Sequence, residues 1–280
     1  MWKYKFKVEN LLVDQPIKGR NIEFNSPHFP RTEKNKDYKE GEVIIKLGSL
    51  KYSVQEVVTE GLELIFALNN HVTLPIHIEK LESPPGLMPS IEVRAEGHTT
   101  FNIKEAEKIP ELWNKYQKLL KDNCQELTYS IRWFMRAIKS ENPIDKFIYS
   151  WITFNILYSW LTCAPSDDHR KGIRGLTGKG IPGRTKQNEI ILRHNEVLKN
   201  LSRVNLIDRC RIDRTKNLRD SLLTKDPQKI LEGAIEAIGF IRHNIFHGSL
   251  KDRTGEAERC TWPLNHLNSE IIKHRLNKLY

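Results

Sequence analysis

Residues 143–161, "PIDKFIYSWITFNILYSWL", carry apolar or aromatic side chains around nearly the whole circumference of a helix. A surface helix shows one apolar stripe, whereas a helix that is apolar on every side must be covered by neighbours on all of them. The stretch therefore predicts the buried central helix of a bundle. Asn142 and Pro143 supply its cap and its first helical position, and Asp145 suits the positive end of the helix dipole.

Before this stretch, Leu112, Tyr116, Leu120, Leu127, Ile131, Phe134 and Ile138 recur at helical spacing. They predict one long amphipathic helix, or two joined end to end, closing near "KSENP". After it, "APSDDHRKGIRGLTGKGIPGRTK", residues 164–186, holds five glycines and two prolines and reads as a basic loop. Its backbone N–H groups and Arg170, Lys171, Arg174, Lys179 and Arg184 are candidate phosphate contacts. The loop is no P-loop, because "GLTGKG" has neither the spacing nor the hydroxyl of that motif. It is no dinucleotide fingerprint either, since no strand pattern precedes it. Helical periodicity resumes at "QNEIILRHNEVLKNL" and continues through an arginine-rich stretch to Leu223.

Residues 1 to about 100 have a different period. "KYKFKV", "NIEFN", "EVIIKLG", "LPIHIEKL" and "SIEVRAEG" alternate or carry β-branched runs between Pro, Gly and Asn signals. Val54, Val57, Val58, Leu62, Ile65 and Phe66 add one helix. The expected fold class is α+β: a mainly-β module over 1–104, then an all-α helical bundle over 105–280. His28, His71, His77 and His98 are scattered through the first module without ligands at metal spacing.

The chain has 280 residues, 39% hydrophobic and 29% charged, which is the balance of a globular protein. No apolar run reaches the roughly 18 residues of a membrane span, and "MWKYKFKVEN" lacks the apolar core of a secretory signal. Cys124, Cys163, Cys210 and Cys260 are widely spaced, which argues against a disulfide framework or a zinc site and for a cytoplasmic setting. The formal net charge is +10. Residues 170–225 hold 15 Lys and Arg against five Asp and Glu, while the rest of the chain balances at 30 against 30. A surplus confined to one segment is the footprint of a polyanion binder, though a solvated helical face has the same composition.

The chemistry concentrates at "IRHNIFHGS", residues 241–249. Asp226 and Pro227 start the helix that ends there, and Leu231, Ala234, Ile235, Ile238, Ile241 and Ile245 mark its apolar face. At about 100° per residue Arg242 lies about 40° from the centre of that stripe at Ile238, and His247 about 180° from it. An arginine so placed is partly desolvated and either snorkels to the surface or needs a partner. Gly248 is a natural residue to end the helix, leaving His247 in its last turn.

"RHNIFHG", an Arg-x-x-x-x-His string late in a helical half, resembles the signature of the HEPN superfamily (higher eukaryotes and prokaryotes nucleotide-binding). "FMRAIKSENPIDKFIYSWITFNILYSWL" looks like that family's first helix pair, and the likeness spans residues 105–280. It implies metal-independent RNA cleavage at a symmetric dimer interface, with no cofactor and no metal. Arg242 would stabilise charge on the scissile phosphate, and His247 would serve as general acid or base for attack by the ribose 2′-hydroxyl. Asn244 would orient the phosphate or His247, and His243 would be an RNA contact. The implied partners are RNA, a second copy of the chain through the helical domain, and an antitoxin or other regulatory protein. The implied setting is a toxin or anti-phage effector.

Two other readings stay open. One is a HEPN-type module that binds nucleic acid or nucleotide without cutting. The other is structural, with Arg242 a surface-seeking stem and His247 a helix-end hydrogen-bonding residue. Asp167, Asp168 and His169 do not make a metal site, because three consecutive residues cannot all point inward from an ordinary loop. Trp133, Trp151, Trp160 and Trp262 could stack on bases, but core packing accounts for such residues equally well.

Overall fold

The computed structural model describes residues 109–122, 124–163, 169–204, 206–207, 212–247 and 254–280, with shorter stretches before residue 96; side chains are described at 61, 63–65, 67–68, 111–122, 124–163, 171–204, 206–207, 212–247 and 254–280. Two compact units result, residues 1–122 with Tyr280, and residues 123–279. The boundary falls after a helix that the sequence pattern assigns to the second domain.

In the first unit, β1 (Trp2–Glu9) pairs antiparallel with β4 (Glu40–Leu47) and parallel with β6 (Ile91–Ala95), at the level of the backbone. With β2 (Ile17–Lys18), β3 (Ile22–Asn25) and β5 (Ile76–Lys80) the order is β2-β3-β4-β1-β6-β5. The expected fold class nevertheless needs correction. Of the residues whose side chains are described, 86% are helical and none lies in a strand. A mainly-β module is therefore not shown. The core that is described here is helix on helix: Leu64, Ile65, Ala67 and Leu68 are buried, as are Leu112, Trp113, Tyr116 and Leu119 of α1 (Ile109–Asp122). A Cβ on Gly61 would lie 1.9 Å from the Trp113 ring, so the two helical segments meet where glycine leaves room. Alternation in the first hundred residues reports a local preference, whereas the placed apolar surface belongs to helical segments.

The second unit is a helical bundle. Its helices are α2 (Gln125–Lys139), α3 (Pro143–Thr162), α4 (His169–Gly178), α5 (Arg184–Arg193), α6 (Asn195–Arg203), α7 (Lys216–Thr224), α8 (Pro227–Phe246) and α9 (Thr254–Leu279). The periodic run across 112–138 is thus two helices, the first ending at Asp122 and the second starting at Gln125. The central-helix reading of α3 holds. Phe147, Phe154, Leu157 and Tyr158 are fully buried, α2, α4 and α9 pack around the helix, and each large ring so buried contributes about 1.5–3 kcal/mol. Asn142 Oδ1 accepts from Ile144 N at 2.9 Å and Asp145 N at 3.2 Å. The hydroxyls inside the core bond back to carbonyls, Ser150 to Lys146 O at 2.7 Å and Thr153 to Tyr149 O at 2.9 Å. Asn268 of α9 donates to the carbonyl of Ser150 at 2.8 Å, tying the two long helices.

A second correction concerns residues 164–186. The glycine-rich stretch is not a loop throughout, because His169–Gly178 forms α4. A Cβ on Gly172 would sit 2.1 Å from the buried Tyr158 ring, and one on Gly175 would sit 2.8 Å from Thr162. These two glycines let α4 approach α3 closely, with Ile173 and Leu176 buried beside them. Their packing role competes with the phosphate-cradle reading.

Candidate active site

Helix α8 carries the site. Its start is set as the sequence indicates: Asp226 accepts from Gln228 N at 3.0 Å, and Pro227 follows. Leu231, Ala234, Ile235, Ile238 and Ile241 are buried, while Ile245 is half-buried. Gly233 brings α7 against this helix, since a Cβ there would lie 2.7 Å from the Leu218 backbone. The helix ends at His247, whose N–H donates to His243 O at 3.0 Å. Gly248, expected as the helix stop, lies outside the described residues.

Arg242 is half-buried, as its position beside the apolar stripe requires. Its guanidinium sits over the Phe246 ring, 4.5 Å from the centroid, and Phe246 is 50% exposed. The buried Nε has no hydrogen-bond partner, and no carboxylate among the described residues pairs with the group. The ring offsets part of the group's desolvation, but the buried Nε is left without an acceptor, a cost that an arriving anion could relieve.

His247 is exposed and lies on another side of the helix. Its ring meets that of His243 at 4.3 Å, and His243 in turn runs parallel to Phe240 at 6.1 Å, with 17° between planes. Asn244 is half-buried. Within one chain, then, the structure gathers His243 with His247 and separately seats Arg242 on Phe246.

Residues that the sequence reading missed complete the surroundings. Arg214 lies 5.9 Å from the Phe240 centroid and 3.7 Å from Glu236, whose other oxygen accepts from Asn217 at 2.7 Å. The i, i+3, i+7 spacing of Phe240, His243 and His247 was a usable signal, as was the i, i+4 spacing of Arg242 and Phe246. Arg214 had no such signal, because it reaches α8 from the connection between α6 and α7.

The other basic candidates are dispersed. Lys171, Arg174 and Arg184 are exposed, on α4 and at the start of α5. Lys179 donates to Leu161 O near the end of α3, so its ammonium is engaged with the helix terminus. Arg174 borders a cavity of about 300 Å³ together with Lys229 and Glu232. The side chain of Arg170 is not among those described. Asp167 and Asp168 also lie outside, and no three His, Cys, Asp or Glu among the described residues could hold a metal ion. No helix among them is long and apolar enough to cross a membrane.

No family model, no curated protein and no solved structure matches the chain.

Proposed function

We propose that the helical unit is a metal-independent endoribonuclease of the HEPN type, acting in the cytoplasm as a toxin or defence effector. The observation that carries this reading is the Arg242 guanidinium seated on exposed Phe246 with its buried Nε lacking an acceptor, at the helix end where His247 faces solvent. A guanidinium matches phosphate oxygens in two-point contact, and imidazole suits proton transfer near neutral pH. The 2′-oxygen attacks phosphorus and loses its proton to a base. The 5′-oxygen leaves and takes up a proton, giving a 2′,3′-cyclic phosphate and a 5′-hydroxyl. Arg242 and His247 point to different sides of α8, so each active centre would pair the Arg of one chain with the His of its two-fold partner. Asn244 is then an orienting residue, and an antitoxin or other regulator restrains the dimer.

That same angular separation supports a second reading, a binding module that does not cut. A labelled mixed-sequence RNA incubated in EDTA with wild type, Arg242→Ala and His247→Ala separates the two. The nuclease reading expects cyclic-phosphate ends from wild type and a loss of about 10²–10⁴-fold in rate for His247→Ala. RNA bound by all three proteins but cut by none would leave the binding module.

A further inference from the structure

Residues 129–136, "YSIRWFMR", repeat one unit twice: an aromatic residue followed three positions later by an arginine. Tyr129, Arg132, Trp133 and Arg136 fall within an arc of about 100° on α2, opposite Leu127, Ile131, Phe134 and Ile138, which are buried in the bundle. Each arginine lies over the ring of its own unit, Arg132 at 6.0 Å from the Tyr129 centroid and Arg136 at 4.7 Å from that of Trp133. Tyr149 of α3 meets the Trp133 ring at 5.4 Å. Arg132, Arg136 and Tyr129 are exposed, and among the described residues no hydrogen bond or carboxylate engages either guanidinium. Glu126 stands one turn before Tyr129 and Lys139 one turn after Arg136, so the stripe carries three cations against one carboxylate. Helix stability alone would be served by arginines paired with glutamates at this spacing. Here the cations are kept off carboxylates and laid on rings.

We propose that this stripe docks an acidic segment of another protein, whose carboxylates, one helical turn apart, take Arg132 and Arg136 while apolar side chains beside them cover Tyr129. The proposal goes beyond the ribonuclease reading and stands without it. A guanidinium laid over a ring is held in orientation while N–H groups at its edge stay free for two-point contact with a carboxylate. Positions four apart on a helix are about 5–6 Å from each other, so carboxylates at the same spacing on a facing helix match the pair. Tyrosine, tryptophan and arginine are also the side chains that anchor protein interfaces, where lysine is depleted. Nucleic acid fits the stripe less well. Both rings already carry a guanidinium and Trp133 meets Tyr149 as well, so a base would have to displace an existing contact. Helix α2 also lies outside the 170–225 segment that holds the whole basic surplus.

The test is fluorescence anisotropy with three labelled probes: an amphipathic helical peptide carrying glutamates four apart beside leucines, its twin with glutamine at those positions, and a 2′-O-methyl RNA dodecamer. The proteins are the full-length wild type, the double variant Arg132→Gln with Arg136→Gln, and the double variant Arg132→Lys with Arg136→Lys, each checked for a wild-type melting temperature. The wild type should bind the glutamate peptide about 3- to 30-fold more tightly than its twin, the range of two exposed ion pairs. The glutamine variant should bring the two peptides level. The lysine variant keeps the charge without the planar fork, and should recover less than half of the preference. Equal binding of the two peptides by wild type, binding of neither, or an unchanged preference in the glutamine variant overturns the proposal. A lysine variant that matches wild type reduces the stripe to a positive field and overturns it as well. If the glutamine variant loses dodecamer affinity by as large a factor as it loses the peptide, the stripe belongs to nucleic acid. None of these comparisons depends on whether the wild type cuts RNA.

Discussion

Arg242 burdens the fold at one atom, a burden to which the nuclease reading would give a use. The Nε is buried without an acceptor while the guanidinium rests on Phe246, and an unsatisfied buried donor costs about 1–3 kcal/mol. Arg242→Met keeps the aliphatic stem and removes that donor. It should leave stability unchanged or raise it, by up to about 1 kcal/mol, while abolishing RNA cleavage. Thermal melting and the cleavage assay on the same preparation test this, and a marked drop in melting temperature would mean that the group is a structural tie. Arg242→Lys should recover little activity, because a lysine has neither the planar fork nor the face that lies on the ring. His247 is exposed at a helix end, so on the nuclease reading its loss should cost rate rather than stability.

At the scale of helices, glycine decides where the elements meet. Gly233 lies in the middle of α8, where alanine would ordinarily gain about 1 kcal/mol by helix propensity. Its Cβ would strike the Leu218 backbone at 2.7 Å, so Gly233→Ala should instead destabilise the bundle by about 1–3 kcal/mol. Gly172→Ala should do the same through Tyr158, whereas Gly178→Ala, with nothing within 4 Å, should not. Equal melting temperatures for all three variants would show that α4 and α7 sit farther from their neighbours. These glycines also explain what could be read from sequence. The caps at Asn142 and Asp226, the all-round burial of α3 and the stripe of α8 were legible because each is a local pattern. The helix at His169–Gly178 was not, since five glycines in sequence look alike and only the tertiary neighbours Tyr158 and Thr162 separate packing from flexibility. The alternation before residue 100 coincides with the backbone strands β1, β3, β4, β5 and β6, but it reports a local preference and does not by itself establish a mainly-β module or say which elements supply the core. Of the site, the position of Arg242 beside the stripe was legible by counting angles, but Arg214 was not, because its place depends on a connection between helices.

Across the helical unit, the basic segment is spread over α4 to α7, and part of its charge is already paired. Arg219 meets Asp213 at 2.7 Å, Lys186 meets Glu189 at 2.7 Å and Lys199 meets Glu196 at 3.1 Å. These exposed pairs are worth little individually, and the remaining surplus sets a positive field that the fold must tolerate. The place where this matters lies between α5, α6 and α9. His194 at the α5–α6 junction and His266 of α9 share a hydrogen bond, Nε2 to Nδ1, at 3.1 Å in the core. Burial pushes His194 down to about 4, and burial with the neighbouring His194, Arg193, Lys273 and Lys186 pushes His266 down to about 3. Both rings are therefore neutral at pH 7, and both bind a proton more readily in the unfolded chain, where histidine titrates near 6.5. Stability is complete above about pH 6.5 and is lost as the pH falls from there toward 3, at up to about 1.4 kcal/mol per pH unit for each ring. Most carboxylates stay ionised between pH 6.5 and 5, so the histidines dominate in that window. Melting followed by far-ultraviolet circular dichroism should show the bundle transition dropping from pH 7 to pH 5, and His266→Gln should reduce that drop by about half. A transition temperature independent of pH over this range would mean that the two rings are protonated, or exposed, in the folded protein.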